Sequence, residues 1–320
     1  MPKRALITGI AGQDGYYLNR FLMDQGVETY GLDRRSMIDG RTGKKLMAVS
    51  LAERASIDRV IDELAPDEIY HLAAYHGSSE QDITEDPCET IEKSLSVHTL
   101  ALAWLLESVR RLNKNPRVFY ASSSLIFGNP TDVPQTEESA ISPICAYGLS
   151  KAAGMNVCAL YRDQHDVFVS SGILYNHESA RRRASFVSRK IVKTAVAIKQ
   201  GRADRLVLGN LNAGVDWGYA PDYVRAMQLI VQCETPDDFI IATGELRTVG
   251  DFVREVFDLL DMQSEGRVVE DGSLITRSPR RNALIGDARK LRSVTGWRPD
   301  HSLSDIAAKM VEAELSESAT

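Results

Sequence analysis

A tyrosine and a lysine four residues apart, in Ala146-Tyr147-Gly148-Leu149-Ser150-Lys151, are the groups best suited to chemistry in this chain. On a helix such residues lie one above the other. Pro143 upstream and the run 152–161 downstream read as the start and body of that helix. An ammonium beside a phenol favours phenolate and lowers the tyrosine pKa from its reference near ~10. Such a tyrosine can take a proton from an alcohol, or return it to a ketone, while hydride moves at the same carbon. Upstream, Ser122-Ser123-Ser124 closes an apolar run. A hydroxyl there can bond a substrate oxygen next to Tyr147. Alone, the first pair equally describes an exposed helical contact, and three serines at a strand end equally describe capping.

The elements that position these residues follow an alternating pattern. Ala5-Leu6-Ile7 is a buried parallel strand, followed by Thr8-Gly9-Ile10-Ala11-Gly12-Gln13-Asp14-Gly15, a helix over 17–25 and a strand over 27–32. Strand, Gly-rich turn, helix and strand make the dinucleotide-binding βαβ unit, with a pyrophosphate resting on the helix N-terminus. Asp33-Arg34-Arg35-Ser36 ends the second strand. An acid there suits the ribose 2′-OH of NAD and arginines suit the 2′-phosphate of NADP; the two arginines favour NADP, and NAD stays possible. A helix over 57–64 and a strand over 68–72 lead to Ala73-Ala74, small residues where backbone passes close to a cofactor. The polar loop 75–87 is either a substrate loop or a solvated connection. A long amphipathic helix over 94–112 precedes the strand over 117–122. The second half predicts strands over 167–176, 205–210 and 239–242, and helices over 186–200, 249–260 and 302–315, with a frayed tail from 312. Strands alternate with helices throughout, so the fold class is α/β, a Rossmann-type doubly wound parallel sheet with a smaller C-terminal α/β substrate domain. Residues 1–175 are expected to form the cofactor domain, rejoined by segments near 205–245, and 176–320 mainly the substrate domain. Ligands bind outside the carboxyl ends of such strands, where the Gly-rich turn, Ser123, Asn176 and His177 fall. Arg181 to Arg183, Lys190 and Arg277 could hold a diphosphate, or form a solvated or oligomer-facing surface.

Composition bounds the partners. The chain has 320 residues, 43% hydrophobic and 26% charged, with a net charge of −6, which gives no reason to expect nucleic acid. There is no apolar run of membrane-spanning length and no signal peptide, so a cytoplasmic protein is expected. Cys88, Cys145, Cys158 and Cys233 lack metal-ligand spacing and read as reduced thiols; no metal is expected.

The spacing Gly9, Gly12, Gly15, with Ser122 to Ser124 and Tyr147/Lys151, resembles the extended short-chain dehydrogenases/reductases that modify nucleotide sugars. More narrowly, Gly12-Gln13-Asp14-Gly15, Arg34-Arg35-Ser36, Gly172-Ile173-Leu174-Tyr175-Asn176-His177-Glu178-Ser179, Phe186-Val187-Ser188-Arg189-Lys190-Ile191, Leu208-Gly209-Asn210-Leu211, Asp216-Trp217-Gly218 and Gly296-Trp297-Arg298-Pro299 resemble the GDP-mannose 4,6-dehydratase family. The resemblance implies an NADP-binding Rossmann domain, a GDP-sugar substrate and a homo-oligomer, dimer or tetramer, whose Arg181 to Arg183 loop reaches a neighbour's cofactor. It implies Ser123, Tyr147 and Lys151 as catalytic residues. Gly9, Gly12, Gln13, Asp14, Gly15, Arg34, Arg35, Leu72, Ala73, Ala74, Lys151, His177 and Arg182 are expected at the cofactor, and Ser124, Asn176, Lys190 and Arg277 at the GDP-sugar.

Four departures qualify that picture. The family reads Ser-Glu-Leu-Tyr-Gly where this chain reads Ser124-Leu125-Ile126-Phe127-Gly128, so Leu125 stands in the place of the catalytic Glu. The Glu serves the proton and water steps of dehydration, and a positioned acid/base is worth ~10²- to 10⁴-fold. His76, Glu80 and Asp82 are conceivable substitutes with nothing to favour them. Val215 replaces an Arg, Arg280 falls where the family has a Glu, and Val49-Ser50 replaces Gly-Asp, while Asp33 stands for an apolar residue. Three readings follow: NADP-linked redox at C4 of a GDP-linked hexose or heptose, such as reduction of a 4-keto sugar; a GDP-mannose 4,6-dehydratase with a substitute base; and a nucleotide-binding scaffold without chemistry.

Overall fold

The computed structural model describes residues 2–33, 37–38, 45–48, 50–75, 86–275 and 282–318. The first half alternates strands and helices: β1 Arg4–Thr8, α1 Gln13–Asp24, β2 Glu28–Asp33, β3 Met37–Ile38, β4 Lys45–Ala48, α2 Arg54–Leu64, β5 Glu68–His71, α3 Pro87–Leu95, α4 Ala101–Arg111 and β6 Arg117–Ser123. Then come α5 Ala146–His165, β7 Val169–Leu174, β8 His177–Glu178, α6 Val187–Lys199, β9 Leu206–Leu208, β10 Gly214–Asp216, β11 Gly218–Tyr219 and α7 Ala220–Val231. The chain closes with β12 Asp238–Ile241, β13 Leu246–Thr248, α8 Val249–Leu259, β14 Val268–Glu270, α9 Arg289–Thr295 and α10 Leu303–Ser318.

Among the described residues the central sheet has the order β12-β7-β6-β5-β1-β2-β4-β3, parallel throughout except for the antiparallel edge strand β3. Strands buried on both faces must be apolar along their whole length, and Ala5, Leu6 and Ile7 in β1, like Val118, Phe119 and Tyr120 in β6, are fully enclosed. One face packs on α2, α4 and α5 through Leu102, Leu105, Leu106, Val109 and Met155. The other packs on α1 and α7 through Leu18, Leu22, Met227 and Ile230. A third core, with Ile191, Val192, Phe252, Val256, Phe257, Ile306 and Met310, joins α6, α8 and α10. This is the doubly wound Rossmann architecture. The strand order reverses between β1 and β5, and that switch point opens the crevice in which such sheets bind ligands.

Several sequence expectations need correction. α5 starts at Ala146, not at Pro143: Cys145 is its extended N-cap, with Sγ accepting from the Gly148 N–H (3.4 Å). The long helix begins at Pro87, where the Asp86 side chain caps the Cys88 N–H, and a π-helical turn over Ser96–Leu100 interrupts it. β12 and α7 return to the central sheet, but Leu206–Leu208 pairs instead with Val268–Glu270 in a separate two-stranded sheet. The tail does not fray from 312: α10 continues to Ser318 because Glu314 and Glu317 lie 2.7 and 2.8 Å from the buried guanidinium of Arg189. Among the described residues, no helix is long and apolar enough to cross a membrane.

Candidate active site

Three chain segments meet at the carboxyl ends of β1, β5, β6 and β7. After β1 the backbone turns at Gly9, in the left-handed region at φ 73°, and a Cβ there would come within 2.8 Å of the Ala73 backbone. A Cβ at Gly15 would sit 2.5 Å from Ile10 Cα. The glycines therefore allow the turn, the start of α1 and the segment after β5 to stack backbone on backbone. No side chain caps the N-terminus of α1. Its first N–H groups and partial positive charge face the crevice, the arrangement that suits a phosphate. Ala73 is buried, Leu72 is half-buried on the core and Ala74 is exposed. The Ala73 N–H donates to Thr8 Oγ1 (3.2 Å), which fixes that segment against β1.

The second segment is β6 and the turn beyond it. Ser123 ends the strand, paired with Leu174 of β7, and its Oγ accepts the Leu125 N–H (3.2 Å) to start the short helical turn Ser124–Phe127. Ser124 is buried in that turn and Leu125 is half-buried. α5 lies directly on it. Gly148 makes this approach possible, because a Cβ there would meet the carbonyl of Leu125, with its carbonyl carbon only 3.0 Å away. Tyr147 is thereby brought into hydrogen bond with the Ser123 side chain.

Lys151, one turn along, is fully buried. Its Nζ donates to Ala121 O (2.6 Å) and stands 5.6 Å from the Tyr147 ring centroid and 5.1 Å from that of Tyr120. The expected lowering of the tyrosine is not what these groups produce by themselves. Burial raises the Tyr147 hydroxyl; Arg182 and the Ser123 hydrogen bond oppose it without prevailing, and Asp14 adds to the rise. Burial likewise pushes the Lys151 ammonium down to about 7, against the pull of Asp14. Desolvation outweighs pairing, so the phenol holds its proton.

The third segment follows β7. His177 is buried, with Nδ1 2.7 Å from Tyr175 O and Nε2 3.0 Å from both carboxylate oxygens of Asp14, and its ring stacks on Tyr223 at 4.6 Å. Burial would depress the imidazole, but the Asp14 charge and hydrogen bond raise it. In return His177 overcomes the burial of Asp14 and holds that carboxyl below its usual value. Gln13 donates to His177 O (3.0 Å) and accepts from Ser179 Oγ (2.7 Å), so α1 is laced to this segment. Arg182 lies 3.2 Å from Glu178 and over the Phe186 ring.

The fold thus gathers Gly9, Gly12, Gln13, Asp14, Gly15, Ala73, Ser123, Tyr147, Lys151, His177 and Arg182 around one crevice. Asn176 is exposed beside it, its carbonyl accepting the Gly218 N–H (2.8 Å), and Lys190 is half-buried on α6. Arg34, Arg35 and Arg277, and the candidate bases His76, Glu80 and Asp82, lie outside the described residues, as do Val49 and Arg280. Sequence reasoning did not single out His71, His98 or Ser150. His98 Nδ1 stands 2.8 Å from Ser150 Oγ, and its ring meets that of Tyr147 edge-on at 5.2 Å. Its stretch reads as plain amphipathic helix, and no motif marks it. The described residues hold no cluster of metal-ligating side chains.

Comparison with known proteins bears on what this crevice does. The sequence model of the family GDP-mannose 4,6 dehydratase matches residues 6–310. GDP-mannose 4,6 dehydratase 2 of Arabidopsis thaliana is 38% identical over 98% of this chain and 87% of its own length. The human GDP-mannose 4,6 dehydratase is 34% identical over 97% of this chain and 91% of its own. Among solved structures, RMD from Pseudomonas aeruginosa complexed with NADPH superposes with a TM-score of 0.81 at 20% identity, over 98% and 99% of the two chains. A dTDP-glucose 4,6-dehydratase from Bacillus anthracis in complex with NAD gives 0.84 at 16% identity, over 99% and 98%. The last two likenesses establish the fold.

Proposed function

Because the chain belongs to the GDP-mannose 4,6-dehydratase family, enzymes of the extended short-chain dehydrogenase/reductase type, we propose that it carries out NADP-linked redox at C4 of a GDP-linked hexose or heptose, specifically reduction of a 4-keto sugar. One observation carries this reading: an intact Ser123, Tyr147 and Lys151 set lies beside an aliphatic Leu125, where the resemblance calls for the dehydration base. The crevice fits a dinucleotide, with a glycine cradle that a Cβ would fill and an α1 N-terminus without a side-chain cap. Gly9, Gly12, Gln13 and Gly15 would hold the pyrophosphate, and Arg34 and Arg35 of the sequence favour NADP over NAD. Once bound, the reduced nicotinamide supplies a hydride.

Ser123 hydrogen-bonds the C4 oxygen. The Tyr147 phenol, kept protonated by burial, gives its proton to that oxygen as hydride reaches C4. With hydride and proton delivered, the C4=O bond would become CH–OH, and Tyr147 would recover its proton from solvent. Lys151 faces the phenolate left behind. Ser124, Asn176, Lys190 and Arg277 are the candidate contacts to the GDP-sugar. A homo-oligomer and a cytoplasmic setting belong to the same reading. Leu149 and Leu160, 44% and 46% exposed three turns apart on α5, and Leu100 of the adjoining helix, 48% exposed, favour the first. The four free thiols favour the second.

Whole-chain identity to named dehydratases favours a second reading, dehydration by a substitute base. Mass spectrometry separates the two. Incubation of GDP-mannose with NADP⁺ is expected to leave its mass unchanged, and a GDP-4-keto-6-deoxy sugar with NADPH is expected to gain two mass units. Loss of one water from GDP-mannose by the wild type would overturn the reductase reading. Leu125→Glu is expected to confer that water loss. Nucleotide binding with no turnover of any GDP-sugar would leave the non-catalytic scaffold as the remaining reading.

A further inference from the structure

Between the segment after β5 and the helix that carries Tyr147 lies a set of polar contacts that the proposed chemistry does not use. Its source is the π-helical turn Ser96–Leu100. A widened turn releases backbone and side chains from ordinary helix register, and such turns recur at functional sites. Here it presents three successive residues to neighbours. Val97 O faces His71 Nε2 at 3.0 Å, and Thr99 Oγ1 donates to Ser150 O at 3.0 Å. His98, fully buried, accepts the Tyr75 N–H on Nε2 (2.9 Å) and has Nδ1 2.8 Å from Ser150 Oγ.

Proton counting fixes both imidazoles. The Tyr75 N–H only donates, so His98 Nε2 is bare. Ser150 gives its one hydroxyl proton to Tyr147 O (2.9 Å), so His98 Nδ1 carries a proton and donates it to Ser150. The donors run in one direction: Tyr75 N–H to His98, His98 to Ser150, Ser150 to the Tyr147 carbonyl. A charged imidazolium would set a second N–H against that of Tyr75. His71 is the opposite tautomer. Its Nε2 faces a carbonyl and must carry the proton, while Nδ1 accepts from Thr8 Oγ1 (2.9 Å). Burial, with Lys151 nearby, pushes His71 down to about 3, so it too is neutral.

We propose that His98 is a positioning residue for Tyr147: through Ser150 and by its ring edge it holds the first turn of α5 in the register that hydrogen-bonds the phenol to Ser123, and it ties that turn to the segment at Tyr75. The proposal rests on the proton-transfer role assigned to Tyr147. Tyr147 sits in the first turn of its helix, where backbone N–H groups lack helical partners and, among the described residues, the side-chain cap is the long contact to the Cys145 sulfur. Control from the side is what such a turn lacks, and His98 supplies it.

The test compares His98→Asn, His98→Gln, His98→Ala and Ser150→Ala. Asn places an amide N–H where Nδ1–H stands, whereas Gln reaches only the position of Nε2. With a GDP-4-keto-6-deoxy sugar and NADPH, the Ala and Gln variants and Ser150→Ala are expected to lose about 10- to 100-fold in kcat, the cost of an ångström-scale misplacement. KM and the NADPH dissociation constant stay unchanged, and Asn recovers most of the loss. Equal rescue by Asn and Gln, or an unchanged kcat in the Ala variant, would overturn the proposal. Two measurements need no turnover and no folded His98 variant. Nitrogen NMR of the wild type is expected to show a protonated Nδ1 on His98, and the ¹³Cζ resonance of Tyr147 is expected to move in Ser150→Ala. A bare Nδ1 or an unmoved resonance would sink the proposal. Absence of turnover in the wild type would instead count against the reductase reading alone.

Discussion

At Tyr147 and Lys151 burial and pairing act in opposite directions, and burial wins. A fully enclosed lysine with one carbonyl partner, pushed down to about 7, is a cost to the folded chain at neutral pH. The unfolded chain binds that proton up to ~10.4, so stability rises with pH between about 7 and that value. Lys151→Met should therefore raise the melting temperature of the nucleotide-free protein. The gain is largest at and below pH 7 and fades toward pH ~10, as thermal denaturation across that range would show. The same variant should lose reductase activity, as should Tyr147→Phe, which leaves melting nearly unchanged. A Tyr147→Phe enzyme with full activity would remove the tyrosine from the chemistry.

Among the elements, the contact between α5 and the turn after β6 decides whether Tyr147 and Ser123 meet. A Cβ at Gly148 would collide with the Leu125 carbonyl. Gly148→Ala should push α5 away from Leu125 and lower kcat by about 10-fold or more, since reacting groups tolerate little displacement. NADPH affinity, which the proposed cradle on the other side of the crevice would set, should hold. A matching loss of NADPH binding would mean that the helix and the cradle move together. The π-helical turn belongs to this scale as well, because it turns His98 toward α5 while Leu102, Leu105 and Leu106 stay in the core.

At the scale of the whole molecule, the C-terminal core is closed by the last helix. Arg189 is buried on α6 and depends on Glu314 and Glu317. Removing both carboxylates leaves an unpaired buried charge, which costs about 3–5 kcal/mol. Glu314→Ala with Glu317→Ala should appear in urea titration as a large drop in midpoint, and Arg189→Met in the same background should recover part of it. The exposed leucines of α5 bear on assembly: light scattering is expected to give a multiple of the chain mass, and Leu149→Glu with Leu160→Glu is expected to reduce it. An unchanged mass in that variant would put any interface elsewhere.

The sequence by itself determined what depends on local periodicity and on residue type at fixed spacing. The parallel α/β class was readable because strands buried on both faces must be apolar and amphipathic helices separate them. Gly9, Gly12 and Gly15 announced a backbone cradle because a side chain at Gly9 or Gly15 collides with backbone. Tyr147 and Lys151 were legible as an i, i+4 pair, and Leu125 as an aliphatic residue out of place. Tertiary structure decided whatever depends on burial and on contacts far apart in the chain. Enclosure reversed the expected shift of the tyrosine. Arg189 turned a tail that reads as frayed into an ordered helix, and a strand beyond 200 joined a small sheet instead of the central one. His98, 52 positions from Ser150, became part of the site only when a π-helical turn aimed it there. No spacing rule encodes that meeting, because sequence distance carries no information about which buried donor finds which acceptor.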